Sequence, residues 1–362
     1  MPTRGEVLAR AAELRAGFVA AGAAVVETPI LQSADLLLDL YGEDIRARAY
    51  VTSDALRGEQ MLRPDFTVPV VQMHMSDGAE PARYTYAGEV FRRQEHDPER
   101  ANEYVQVGYE VFDRVDPAAA DAEVFALISE ALQGMHLRSA TGDIGILMAA
   151  VRGLKTTDRR KAALMRHLWR PRRFRALLER YGGRAAQPAA RAELLAASDP
   201  FAAAGADIGL RGRAEIEARI AALREDAAAP PIAGHELDAL EALLAVRETL
   251  PFALENLKDI AVDLPSITPA LRRLEARIGA LAARGVDVDR LDFEASYGRT
   301  QMEYYDGFVF GFYAADRPDL PPIATGGRYD ALTRRLGRGA EIPAVGGVLR
   351  PGLMLELAEA VR

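Results

Sequence analysis

Apolar Val7, Leu8, Ala11, Leu14 and Phe18 recur at helical spacing behind Thr3-Arg4-Gly5-Glu6, whose Thr and Glu have the spacing of a capping box. The chain therefore opens with an amphipathic helix, stopped by Gly22. Residues 23–26 read as a short strand, and Pro29 after Glu27-Thr28 holds the backbone extended. Residues 83–92 and 103–113, rich in Tyr, Val and Phe and parted by the charged stretch 93–102, predict a long antiparallel hairpin. Asp116-Pro117 starts a helix to about Gln133, and 143–149 is strand-like. From 156 to about 283, Ala, Leu, Arg and Glu fall at helical spacing, with breaks at Gly182-Gly183, Asp199-Pro200, Pro230-Pro231 and Pro265. Strands return over 291–297 and 307–313. Ala324-Thr325-Gly326-Gly327 reads as a tight loop, 330–336 as a helix and 342–348 as a strand, and Pro351 takes the favoured first position of a last helix. No repeat of 20 to 50 residues is found.

Period-two alternation sorts the hairpin into faces. Tyr84, Tyr86, Gly88, Val90 and Arg92 share one side of the first strand, and Gln106, Gly108 and Glu110 one side of the second; Val105, Val107, Tyr109 and Val111 point the other way. Glycine on a strand face leaves room for something to lie there. A bound amino acid needs an acceptor for its ammonium, a donor for its carboxylate and a partner for its side chain, and this face has all three types. A partly solvated face with an internal ion pair would use the same residues, and spacing alone does not separate the two.

Composition narrows the class. A chain of 362 residues has room for one large domain with an inserted subdomain, or for two ordinary domains. At 49% hydrophobic and 27% charged it is globular, not disordered or collagen-like. The absence of cysteine excludes disulfides and thiolate zinc sites and fits a reducing cytoplasm. No apolar run approaches the ~20 residues of a membrane span, and the N-terminus lacks a signal-like apolar stretch, so a cytoplasmic protein is expected. A net charge of -8 gives no global attraction for nucleic acid. His74, His96, His136, His167 and His235 are scattered, so no metal site is expected. The run Arg170-Pro171-Arg172-Arg173-Phe174-Arg175 beside Trp169 could hold a phosphate chain, although a solvent-facing helix start is the plainer reading; Gly326-Gly327-Arg328 lacks the context of a dinucleotide loop.

The segments 83–92 and 103–112 together resemble motif 2 of histidyl-tRNA synthetases. Val25-Val26-Glu27-Thr28-Pro29-Ile30-Leu31 is similar to motif 1, whose proline lies at that family's dimer interface. Leu62-Arg63-Pro64-Asp65-Phe66-Thr67 resembles its Leu-Arg-Pro-Glu-x-Thr segment, with Asp for Glu. Tyr304-Tyr305, Gly326-Gly327-Arg328-Tyr329-Asp330 and Pro343-Ala344-Val345-Gly346 complete the order over nearly the whole chain. The resemblance implies an α+β fold with a class II synthetase-like antiparallel sheet flanked by helices. Residues 1–150 and 286–362 would form the core, with a mainly helical insertion over 151–285. It also implies a histidine pocket: Asp65 and Thr67 for the ammonium, Gln106 between ammonium and carboxylate, Arg92 beside them, and Glu110 and Tyr305 on the imidazole.

Departures from the synthetase pattern point to a particular relative. Leu353 stands where the Gly-x-Glu-Arg-Leu signature has its ATP-clamping arginine. Thr300 stands where an arginine acts on the reacting phosphate, with Arg299 one place off, and Gln94 replaces an acid. Adenylation depends on such cations. The chain also ends nine residues past Leu353, which leaves no anticodon-binding domain to expect. That combination resembles the ATP phosphoribosyltransferase regulatory subunits. It implies a subunit without catalytic residues, cofactor or metal, paired with a short-form catalytic subunit and with itself through motif 1, and answering to histidine as the feedback effector at the first step of histidine biosynthesis. A divergent histidyl-tRNA synthetase or other class II adenylating enzyme, and a dimeric histidine-sensing module with another partner, are the remaining readings.

Overall fold

The computed structural model describes residues 2–41, 45–94, 100–202, 204–205, 209–299 and 304–360. The order begins α1 (Arg4–Ala20), β1 (Ala24–Val25), β2 (Leu31–Ser33), α2 (Ala34–Tyr41), α3 (Ile45–Arg48), β3 (Val51–Asp54), β4 (Gly58–Leu62) and α4 (Thr67–Asp77). The hairpin β5 (Ala82–Phe91) and β6 (Glu103–Phe112) is followed by α5 (Pro117–Ala131), β7 (Leu137–Asp143) and α6 (Ile144–Gly153). Next come α7 (Asp158–Arg166), α8 (Pro171–Tyr181), α9 (Ala189–Ala196), α10 (Arg213–Ala228), α11 (Gly234–Ala245), β8 (Arg247–Thr249), α12 (Leu250–Asp263) and α13 (Thr268–Ala283). The chain closes with β9 (Asp292–Glu294), β10 (Phe308–Ala314), β11 (Ala324–Arg328), α14 (Asp330–Leu336), β12 (Ala344–Leu349) and α15 (Pro351–Ala360).

One sheet organises the molecule, in the order β1-β5-β6-β12-β11-β10-β7-β9-β8, antiparallel except for the parallel pairs β1–β5 and β7–β9. A small antiparallel sheet, β2-β4-β3, stands beside it. On one face of the large sheet Phe308, Phe310 and Phe312 alternate inward, and Phe125 of α5 meets all three at 5.3–6.2 Å between ring centroids. Further along, Phe18 of α1 packs on Tyr109 of β6 at 5.2 Å, and the Tyr109 hydroxyl donates to Glu123 of α5. This face is the apolar core, and the other carries the polar row.

A desolvated charge cluster locks α13 onto this core. Asp121 of α5 accepts from Arg277 of α13 at 2.7 Å and from Arg328 of β11 at 3.0 and 2.7 Å, and Arg277 also reaches Asp143 at 2.9 Å. All four side chains are buried.

The capping box at Thr3 and Glu6 forms as expected. Two expectations fail. The strand over 143–149 is the helix α6: Asp143 ends β7 and caps the helix by accepting from the Gly145 N–H at 2.9 Å. Residues 144–148 are all buried, so an apolar run there carries no period to tell helix from strand. The loop over 324–327 is instead strand β11. Its glycines serve close approach, since a Cβ on Gly326 would sit 2.3 Å from the Phe310 ring and one on Gly327 2.8 Å from the Tyr305 ring. Thr300 and His96 lie outside the described residues.

Candidate functional site

Register brings the polar row together. Tyr84 lies opposite Glu110, Tyr86 opposite Gly108 and Gly88 opposite Gln106. Directly opposed residues of an antiparallel pair point to the same side, so the two rows form one face. It continues across β12 and β11, where Gly346 faces Glu110 and Gly327 faces Gly346. The chain's own side chains fill the room these glycines leave. The Tyr86 ring lies across Gly108, Arg63 and Phe66 lie against Gly88, and the Tyr305 ring lies against Gly327. Over Gly346 sits the Glu110 carboxylate, so close that a Cβ there would fall 1.4 Å from Oε2.

Glu110 is 1% exposed and is held by three hydroxyls. Thr67 and Tyr86 donate to Oε1 at 3.1 and 2.8 Å, and Tyr329 donates to Oε2 at 2.5 Å. Burial pushes this carboxyl up to about 7, against the downward pull of the donors Tyr329, Tyr86 and Thr67. The protonated form suits the folded site better than the charged one. The group's contribution to stability is therefore whole below its ordinary value of 4.5 and is lost as the pH rises through about 7. Glu110→Gln, which cannot ionise, is expected to gain on the wild type across that window by up to roughly 3 kcal/mol. Urea melts of both proteins at either end of it provide the check, and a gap that does not change with pH rejects the assignment.

The other anticipated residues surround this carboxylate. Thr67 is the first residue of α4, two positions after Asp65, whose Oδ1 accepts from the Val68 N–H at 3.4 Å. Arg92 donates from Nε to the Pro64 carbonyl at 2.7 Å, and its Nη2 lies 4.0 Å from Asp65 Oδ2. Tyr305 is buried beside Tyr304, and burial first, then Glu110, drive its phenol upward. Gln106 is 1% exposed, and among the described residues neither its amide oxygen nor its nitrogen has a hydrogen-bond partner. With Gln106 and Glu110 this deeply buried, the face is not a solvated surface.

Sequence reasoning missed the ligands of Glu110. Alternation placed Tyr86 on the face, but nothing local shows its hydroxyl crossing to a residue 24 positions away, or Tyr329 arriving from 219 positions away. Arg350, one residue past β12, also went unnoticed. Its register falls beside Gln106, because Leu349 lies opposite Val107.

The residues that depart from the synthetase pattern are turned to other uses. Leu353 packs partly buried against the core. Arg299 donates from Nε to the Leu168 carbonyl at 2.8 Å and stacks 4.8 Å from the Phe174 ring. Gln94 is half-buried at the hairpin end, where its backbone N–H donates to the Asn102 side chain and its side-chain amide to the Ala101 carbonyl. In the run 170–175, Phe174 is buried while Arg172, Arg173 and Arg175 are exposed, as in the plainer reading. Among the described residues no group of three or more His, Cys, Asp or Glu could hold a metal ion, and no helix is long and apolar enough to cross a membrane.

Comparison with known proteins places these observations in a wider set. A family model described as histidyl-tRNA synthetase matches residues 6–232 and 216–351. A protein of Brucella ovis called "ATP phosphoribosyltransferase regulatory subunit" is 32% identical over 368 aligned residues, which span 92% of this chain and 93% of the relative. A protein of the same name from Brucella abortus is also 32% identical, over 92% of each chain. Among solved structures, an "ATP phosphoribosyltransferase regulatory subunit/histidyl-tRNA synthetase" of Bacillus halodurans superposes with a TM-score of 0.68 at 21% identity, covering 99% of this chain and 80% of that one. Histidyl-tRNA synthetase of Nostoc sp. superposes at 0.64 with 18% identity, covering 98% and 72%. At these identities the structures speak for the fold, and it is the class II, histidyl-tRNA-synthetase-like one.

Proposed function

Because the chain belongs to the family of ATP phosphoribosyltransferase regulatory subunits, we propose that it acts on a separate short-form catalytic chain of that enzyme, performs no chemistry of its own, and carries histidine as the feedback effector. The observation behind the effector is the Gln106 amide, buried with both polar atoms unpaired. Leaving such groups unmade costs about 1–3 kcal/mol each, which favours a ligand offering the donor and acceptor that the described residues do not supply. An amino acid is such a partner: Gln106 offers a donor and an acceptor, Asp65 and Thr67 acceptors for an ammonium, and Arg92 a cation. A carboxylate has about four lone-pair sites, and three hydroxyls occupy those of Glu110, leaving one for an imidazole N–H with the Tyr305 phenol nearby.

Feedback requires that histidine favour one state of the complex over another, since equal affinities shift nothing. Self-association belongs to the same proposal. Val25, Ile30, Leu31 and Val51, around Pro29 and on the small sheet, are large apolar residues exposed at 42–51% and would be covered in a two-fold dimer.

Mixing the chain with a short-form ATP phosphoribosyltransferase catalytic subunit tests this. A complex on size exclusion, faster phosphoribosyl transfer than the catalytic chain alone, and inhibition by histidine only when both chains are present are expected. No complex and no change in rate would reject the partner. Histidine-dependent exchange of pyrophosphate into ATP by the isolated chain would reject the non-catalytic role and return it to the synthetases.

A further inference from the structure

Exposure alone suits a solvated start to α8, but the surroundings of that start do not. From Arg159 to Leu178 the chain carries eight Arg and Lys and no Asp or Glu, in a protein of net charge -8. Arg159 and Arg160 are matched by Glu225 and Asp226 of α10. Arg166, Arg172, Arg173 and Arg175 are exposed, and among the described residues no carboxylate pairs with them. No side chain caps α8, so the Arg172 and Arg173 N–H groups lack an intrahelical acceptor. Arg299 comes to this end of α8 from far along the sequence. It is 5% exposed, donates from Nε to the Leu168 carbonyl at 2.8 Å, and lies 4.8 Å from the Phe174 ring on the first turn of the helix. Its Nη2 is buried without a partner among the described residues, and so are Trp169 Nε1 and His167 Nδ1. No carboxylate among them pairs with Arg299 either. Burial first, then the charge of Arg175, push its pKa down to about 10. The same field reaches His167, which burial and then Arg170, Arg173 and Arg166 hold below its usual range.

A buried cation beside further cations and a bare helix start is costly unless an anion answers it. Several guanidiniums at one point suit an anion of two or more charges, which is phosphate chemistry rather than a single carboxylate. The ligand is also compact. The cations gather around one turn of α8 instead of following a groove, and Phe174 and Trp169 are packed into the protein, so no ring is offered for the base stacking of a nucleic-acid strand. We propose that the start of α8, with Arg173, Arg175 and Arg299, binds the di- or triphosphate group of a small molecule. None of these residues belongs to the anticipated histidine pocket, and the inference does not depend on that reading.

Calorimetry and fluorescence on the full chain test it, with inorganic pyrophosphate as the probe. Ionic strength is held constant and divalent metal left out, because salt screens exposed charges. Trp169 is the one tryptophan of the chain and reports from the site itself. Wild type is expected to bind pyrophosphate saturably, with a change in Trp169 emission that follows the calorimetric curve. Arg175→Gln should weaken binding about tenfold. Arg57→Gln, which removes the same charge from the turn between β3 and β4, should leave it unchanged. Arg299→Gln should lose at least as much as Arg175→Gln, and its melting without ligand reports its fold. Should it melt early, the exposed Arg175 carries the test. ATP in place of pyrophosphate tells the source: equal affinity assigns a site for phosphates alone, and tighter binding one that also holds the nucleoside, provided that the loss in Arg175→Gln persists. No saturable binding, an unweakened Arg175→Gln, equal losses in Arg175→Gln and Arg57→Gln, or binding that leaves Trp169 emission unchanged would overturn the site.

Discussion

Asp121→Ala is expected to destabilise the protein by about 3–5 kcal/mol, the range for removing one partner of a buried ion pair. The carboxylate is 2% exposed and bridges two guanidiniums, Arg277 through Oδ2 and Arg328 through Oδ1. Alanine would leave Arg277 with Asp143 alone and Arg328 with Asp330 and the Pro117 carbonyl, so each cation keeps part of its compensation and neither keeps all. Asp121→Asn retains an acceptor but not the charge and should fall between wild type and alanine. Equilibrium denaturation of the three proteins gives the values, and a loss below about 1 kcal/mol for alanine would mean that water restores the missing charge compensation.

Glu110→Ala should weaken histidine binding by more than tenfold, the loss expected when a charge-assisted hydrogen bond is removed. The effect has two parts. The ligand loses its imidazole partner, and the Thr67, Tyr86 and Tyr329 hydroxyls lose their common acceptor, so the floor of the pocket relaxes. Glu110→Gln separates them: it keeps one oxygen for the hydroxyls but places an amide N–H where Tyr329 or an imidazole N–H would have donated. Calorimetry with histidine on both variants reads the first part and thermal melting the second. An unchanged affinity in Glu110→Ala would move the histidine site elsewhere, for instance to a subunit interface.

The sequence made those elements legible whose signals are local. Thr3 and Glu6 cap α1 as their spacing requires, α14 spans Asp330–Leu336, and Pro351 opens α15. The hairpin faces also follow from period two, which is why Gln106, Glu110 and Tyr86 could be placed on one side before any contact was known. Failures came where a distant partner decides the conformation. Gly326-Gly327 looks like a turn, yet it is strand because the rings of Phe310 and Tyr305 need backbone without Cβ beneath them. Within 143–149 the run 144–148 is uniformly buried, and the Asp143 cap decides for helix. Of the site, the composition of one face was readable, but its connections were not. Tyr329 and Arg350 reach it from the last third of the chain, and only the pairing of β12 with β6 and β11 reveals that they belong there.

The anchoring of α13 bears on where this chain could be cut. The helix lies within 151–285, yet its Arg277 is the cation between Asp121 and Asp143. A deletion that removed the whole stretch would leave those two acids buried without Arg277, and Asp143 would lose its cation. It would also strip β8 and α12 from the outer edge of the sheet, where β8 pairs with β9. A shorter excision that spares 247–285 keeps the cation, the edge strand and the helix together. Any recombination or shuffling of helical segments within this fold is therefore expected to find its tolerated junction before β8.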